Sequence, residues 1–173
     1  MNQIHHLKVT KLTKNLSSKL LENLYSLNQE NTPEVGSLED IESLSKLFEL
    51  SSTSLLVELE DQIIGFIICF RENSIYGSEN YKFFNSKKDK FIYIDRVVIK
   101  SGYRRMGFGT QLYRYLDELA FKDFLPVCCE VNSVPKNEIS LNFHIKNGFT
   151  EVGEKNFHDH SVKYFEKIYI QRY

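Results

Sequence analysis

The chain has 173 residues, 42% hydrophobic and 26% charged, enough to bury one core and too few for two ordinary domains. Its 22 Lys and Arg against 23 Asp and Glu leave a formal charge of −1, which excludes a broadly basic surface for nucleic acid or anionic membrane. The longest apolar run, residues 63–70, is too short to span a bilayer, and the start of the chain gives no reason to expect a signal peptide. Cys69, Cys128 and Cys129 form no Cys-x-x-Cys pair, so neither a metal site nor a disulfide framework is expected, and a reducing, cytoplasmic setting fits. Without an internal repeat or a Pro/Gly-rich linker, residues 1–173 read as a single domain.

Residues 3–9 can form a first strand. Leu12, Leu16, Leu20, Leu24 and Leu27 recur at helical spacing and predict a helix, which Asn31–Ser37 breaks. Leu38, Ile41, Leu44, Leu47 and Phe48 predict a second. Ser54–Glu60 and Ile63–Arg71 read as strands joined tightly at Asp61-Gln62. Glu72–Lys90 reads as a long polar and aromatic loop, and Phe91–Ile99 as a strand rich in β-branched residues. A glycine-rich turn then opens a helix carrying Phe108, Leu112, Tyr115, Leu116 and Leu119 on one face. Pro126–Val131 reads as a strand, Asn137–Asn147 as a helix, and Phe149–Gly153 and Val162–Ile170 as closing strands. The order βααβββαβαββ predicts an α/β (mixed α+β) domain. Its mixed, mostly antiparallel sheet carries parallel pairing where strand–helix–strand units occur, and helices flank it.

Three of the eight Gly, at 102, 107 and 109, fall in the turn before the long helix. Such a turn lets backbone N–H groups approach an anion, and the helix start adds a positive dipole end. From Arg96 to Leu116 there are five basic residues and no acid, and four of the six Arg lie there. A P-loop would need Lys-Ser/Thr after the last Gly, but Thr110-Gln111 follows. A dinucleotide fingerprint would need a third small residue where Leu112 stands.

The arrangement Arg104-x-x-Gly107-x-Gly109, after a strand and heading a helix, resembles the pyrophosphate loop of the GNAT superfamily of N-acetyltransferases. Asn137 through Phe149, with Phe143-His144 four residues before Gly148-Phe149, resembles that superfamily's second signature. The element order is also the family's. Tyr93–Ile99, Cys129–Asn132 and the Phe143-His144 pair further resemble one bacterial branch of it. The resemblance implies acetyl-CoA held where two central parallel strands, Phe91–Ile99 and Pro126–Val131, splay apart. Val97, Val98 and Ile99 would bond the pantetheine arm and thioester carbonyl. Arg104, Arg105, Met106, Gly107, Phe108, Gly109 and Thr110 would hold the pyrophosphate, with Asn137 and Phe143 flanking the pantetheine. Ser101 stands where the family often has Pro.

The implied reaction is direct attack of a primary amine on the thioester. An alkylammonium of pKa ~10.4 needs a base at neutral pH. Asp95 and Glu130, carboxylates within apolar strands, are the base candidates. His144 replaces the Tyr that family members often use to protonate the departing thiolate, so it is the acid candidate. Asn31–Ser37 and Tyr76–Phe84 are the expected specificity segments, for a small-molecule or peptide amine. Tyr81, Phe83 and Phe84 are candidate lining residues there. His158-Asp159-His160 reads as a solvated turn rather than a metal site. The terminal strands offer an edge for a homodimer. An acyl-CoA-binding regulatory module without turnover is the alternative reading.

Overall fold

The computed structural model describes residues 7–170. Strand β1 (Leu7–Lys11) is followed by helices α1 (Ser18–Gln29) and α2 (Ile41–Leu50), then by β2 (Thr53–Leu59) and β3 (Gln62–Arg71). Residues 3–6 of the expected first strand lie outside the described residues. The leucine stripe overestimates α1. Ser17 caps the helix, its side chain accepting from the Leu20 N–H at 3.3 Å, so Leu12 and Leu16 stay outside. Asp40 caps α2 in the same way, accepting from the Ser43 N–H at 2.7 Å, which leaves Leu38 ahead of it. The β2–β3 hairpin turns on Glu60 and Asp61, both at positive φ (49° and 62°), one residue earlier than the sequence indicates.

Helix α3 (Glu79–Asn85) occupies the segment expected to be a loop. Seven residues are too few to show a helical period. The helix is fixed instead by the Ser78 cap and by burial of Tyr81 and Phe84, which are 1% and 0% exposed. Those two aromatics are therefore core residues rather than pocket lining. Then come β4 (Ile92–Ile99), a short 3-10 turn at Ser101–Tyr103, α4 (Phe108–Lys122), β5 (Val127–Val134) and α5 (Glu138–Lys146). The chain closes with β6 (Thr150–Asn156) and β7 (Ser161–Lys167), so the last strand stops short of Ile170. On α4 the buried face is Phe108, Leu112, Tyr113, Leu116 and Ala120, while the expected Tyr115 is 36% exposed.

The sheet is seven-stranded and mixed, in the order β1-β2-β3-β4-β5-β7-β6. The β1–β2, β2–β3, β5–β7 and β6–β7 pairs are antiparallel. The parallel ladder between β4 and β5 comprises Ile92↔Val127 and Tyr93↔Cys128. Among the described residues no helix is long and apolar enough to cross a membrane.

The chain divides into two compact units, one ending at Cys69 and completed by Arg96–Tyr115, the other formed by Phe70–Asp95 and residues from Leu116 on. The first buries Leu24, Leu44, Leu55, Val57 and Phe66. Its α1–α2 connection is tied down by polar contacts. The Arg96 guanidinium donates to Asn28 Oδ1 at 2.8 Å and to the Gly36 carbonyl at 3.3 Å. The second unit has an aromatic core around α3, in which Tyr81, Phe84, Phe91, Tyr93 and Tyr164 are all essentially inaccessible to solvent.

Candidate active site

In the first unit the glycine-rich turn is a backbone device. Arg104 is extended (φ −71°), Arg105 is left-handed (φ 63°) and Gly107 is left-handed again (φ 85°) before α4 begins at Phe108. Two left-handed residues in a turn that runs straight into a helix start leave backbone N–H groups without intrahelical partners, available to an anion. A Cβ added at Gly107 would meet nothing within 4 Å. Glycine is thus demanded there by the backbone angle, and the space beside it is open. Phe108 is 5% exposed and anchors the helix start, whereas Arg105 and Met106 face solvent and Gly109 and Thr110 are half-buried in the first turn. Arg104 donates through Nε to the Ile99 carbonyl (3.2 Å) and through its other arm to Asn31 Oδ1. The turn and its basic side chains suit a pyrophosphate.

Just upstream, Val97 and Ile99 are half-buried on either side of the buried Val98. Gly65 of β3 lies against this strand so closely that a Cβ there would come within 2.4 Å of the Val98 carbonyl oxygen.

In the second unit, β4 and β5 carry two carboxylates on one face of the sheet. Tyr93↔Cys128 is a paired rung, and strand alternation places Asp95 and Glu130, two residues further on, on that same face. Glu130 is half-buried and held by two donors, one per oxygen. Tyr93 Oη donates to Oε2 at 2.7 Å and Asn80 Nδ2 to Oε1 at 3.2 Å. Asp95 accepts from Tyr76 Oη. Burial raises the Glu130 pKa to about 8, and the negative charge of Asp95 pushes it the same way, against the lowering effect of the two hydrogen bonds. Burial also holds the Tyr93 hydroxyl well above the usual tyrosine range, so it stays a donor. A carboxyl poised near 8, still in touch with solvent, can take a proton from an incoming ammonium.

His144 lies elsewhere, and here the structure departs from the grouping of His144 with Asp95 and Glu130. Glu130 pairs with Tyr164 and Cys129 with Phe165 across β5 and β7, so Tyr164 and Phe165 face opposite sides of the sheet. The His144 ring stacks on Phe165 and meets Phe149 edge-on, with centroids at 6.2 Å and 5.2 Å. It therefore belongs to the side opposite Glu130. His144 is 3% exposed and its Nδ1 lies 2.8 Å from the Ser140 carbonyl oxygen, which requires the proton on Nδ1. Burial lowers its pKa. At neutral pH the ring is uncharged and carries no proton on Nε2. Asn137 caps α5, its side-chain oxygen accepting from the Ser140 N–H at 3.1 Å, and Phe143 is half-buried one turn on.

The sequence assigned no role to Tyr93 or Tyr164 and held Tyr76 and Asn80 only within the expected specificity segment Tyr76–Phe84. Tyr93 was within reach, because it precedes Asp95 by two residues and so shares its face of the strand. Asn80 carried no signal, since its helix is short and its partner is 50 residues away. His158-Asp159-His160 lies in the β6–β7 turn, as expected, with Phe157 stacked on His160 at 4.5 Å.

The sequence pattern of the acetyltransferase (GNAT) family matches residues 21–149. A search of curated protein sequences found no match. Among solved structures, a ribosomal-protein-alanine N-acetyltransferase from Brucella melitensis superposes with a TM-score of 0.68 at 20% identity, covering 94% of this chain and 99% of that one. A GNAT-family acetyltransferase from Streptococcus pneumoniae gives 0.70 at 16% identity, covering 94% and 99%. The NatC complex bound to Gag peptide and CoA gives 0.68 at 14% identity, covering 95% and 99%.

Proposed function

Because the chain belongs to the acetyltransferase (GNAT) family and is an acyltransferase, we propose that it transfers the acetyl group of acetyl-CoA to a primary amine by direct attack on the thioester. The observation that carries this reading is Glu130, a carboxyl raised to about 8 and held by a donor on each oxygen. The turn at Arg104–Thr110 supports the cosubstrate assignment, through its left-handed residues, its basic side chains and the open space beside Gly107. So does the CoA in the NatC structure. The names of the Brucella and NatC neighbours, one an alanine N-acetyltransferase and one bound to a peptide, favour a peptide or small-molecule amine.

In this reading, backbone N–H groups from Arg104 to Thr110 and the exposed Arg105 side chain bind the pyrophosphate, while the Arg104 side chain, bonded to Ile99 and Asn31, braces the turn. The main chain of Val97–Ile99 aligns the pantetheine arm and the thioester carbonyl, where a fixed N–H stabilises developing negative charge. Asn137, by capping α5, sets the helix that presents Phe143 to the pantetheine. Glu130 takes the first proton from the ammonium, freeing the amine's lone pair to attack, and Asp95 keeps that carboxyl basic. His144, neutral and bonded through Nδ1, acts in packing α5 rather than as the donor to the thiolate. Water relays to the thiolate the second proton, which the nitrogen sheds as the tetrahedral intermediate collapses.

The test is thiol release from acetyl-CoA by the purified chain against a panel of amines, with mass spectrometry of the acetylated product. Turnover with at least one amine, lost in Glu130→Gln, is the expected result. Tight CoA binding with no thiol release from acetyl-CoA or from longer acyl donors would overturn it in favour of a binding module.

A further inference from the structure

Glu130 is held from three elements. From β4 come the Tyr93 hydroxyl and the neighbouring charge of Asp95, itself bonded to Tyr76 from the segment before α3. From α3 comes Asn80, whose Nδ2 donates to Oε1 at 3.2 Å. From β7 comes Tyr164, which pairs with Glu130 across the strands and whose hydroxyl donates to Asn80 Oδ1 at 2.9 Å. The ionised form of Glu130 fixes which way the Asn80 amide points. With its oxygen accepting from Tyr164, its NH₂ faces the carboxylate, and a flipped amide would set oxygen against oxygen. Tyr164 is itself rigid, 0% exposed and stacked on Phe83 of α3 at 3.9 Å. Its hydroxyl pKa is raised to about 12 by burial and by the charges of Glu130 and Glu79, so it donates throughout the working range. Glu79, the acid of α3, pairs with Lys155 of β6 at 2.5 Å.

We propose that Asn80, its amide locked by Tyr164, is a positioning residue that fixes the Glu130 carboxylate for proton transfer. Asn80 satisfies one oxygen and Tyr93 the other, so the carboxylate cannot turn toward either donor without losing its second partner. The relay Tyr164–Asn80–Glu130 joins β7, α3 and β5. It gives α3 a role in the reaction's proton chemistry and not only in the fold. The proposal rests on Glu130 as the base, and the experiment separates the two claims.

An NMR titration of side-chain carboxyl carbons in the CoA-free protein follows Glu130 directly, its signal identified by its loss in Glu130→Gln. Removing a hydrogen bond that favours the ionised form raises the midpoint. Asn80→Ala should move it upward by about one pH unit, the size expected for one hydrogen bond to a charged group. Tyr164→Phe keeps the ring stacked on Phe83 and should move it the same way by less. The double variant should match Asn80→Ala alone, because Tyr164 acts through Asn80. The pH profile of kcat/KM should shift in parallel, lowering the rate at pH 7 by about tenfold while the KM for acetyl-CoA holds.

An unchanged midpoint in folded Asn80→Ala overturns the proposal. If that variant fails to fold, an unchanged midpoint in Tyr164→Phe overturns it equally, as does strict additivity of the two shifts. Wild-type turnover in Glu130→Gln overturns the base assignment instead, and a titration shift in Asn80→Ala would then show Asn80 holding a carboxylate that does no chemistry.

Discussion

Arg96 and Asn28, 68 positions apart, are joined by a 2.8 Å hydrogen bond whose acceptor is completely buried. Asn28 Nδ2 in turn donates to the Gly36 carbonyl, and Arg96 reaches that same carbonyl. The α1–α2 connection, the expected specificity segment at Asn31–Ser37, is thus tied by side chains in addition to its own backbone bonds, such as Val35 N–H to the Asn31 carbonyl at 3.1 Å. Arg96→Leu would leave the Asn28 oxygen buried without this donor, a loss of about 1–3 kcal/mol. Thermal denaturation should show it as a fall of at least about 2–4 °C. Hydrogen exchange should rise first in residues 31–37.

Gly107 is the position where cofactor binding separates from stability. Its φ of 85° disfavours any side chain, at about 1–2 kcal/mol, while the open space around it means no clash with the protein. Gly107→Glu should remain folded, with Tm lowered by only a few degrees, roughly as that strain requires. It should lose CoA binding in calorimetry, because a carboxylate then stands beside the N–H groups of the turn.

Glu130 makes activity and stability depend on pH in opposite ways. Its pKa is raised from 4.5 to about 8, so kcat/KM should climb with pH and level off above about 8. Glu130→Gln should lose about 10²–10⁴-fold in rate, the usual span for a general base. The folded chain keeps the Glu130 proton between pH 4.5 and 8, whereas the unfolded chain has lost it. Stability therefore falls as pH rises through that window and changes no further above it. Denaturant melts from pH 5 to 9 should show Glu130→Gln gaining on the wild type with rising pH.

His144 should behave as a core residue. Its lowered pKa means the unfolded chain takes up a proton first as pH drops below about 6.5, which destabilises the fold in acid. His144→Phe should lessen that acid sensitivity and keep turnover within a few-fold, with the same pH profile. A large rate loss, with the acid limb of the profile displaced, would instead restore His144 as a proton donor.

The parts legible in sequence were those written in local periodicity and in turn chemistry. The placement of Asp95 and Glu130 on two adjacent strands came from the family resemblance, while strands β2 to β5 and the helix start after Gly107 followed from neighbours in the chain. Helix α3 did not, because its seven residues are ordered by the burial of Tyr81 and Phe84 against distant strands. For the same reason Asn80 and Tyr164, 84 positions apart, could not be connected to Glu130 in advance. The side of the sheet taken by His144 was not legible for a different reason. A motif fixes a residue's position on its helix, but the side of the sheet is decided by which of Tyr164 and Phe165 it meets.

The missing side chain at Gly65 has a reach of its own. Since β3 can lie under the Val98 carbonyl only while nothing projects from Gly65, that position sets the height of the Val97–Ile99 main chain from behind. A larger residue there would lift the strand, displacing the edge proposed to align the thioester while leaving the pyrophosphate turn's own sequence intact. Variants at position 65 should therefore surface in a screen for altered cosubstrate use, as adjustments transmitted through the backbone by a residue that no ligand touches.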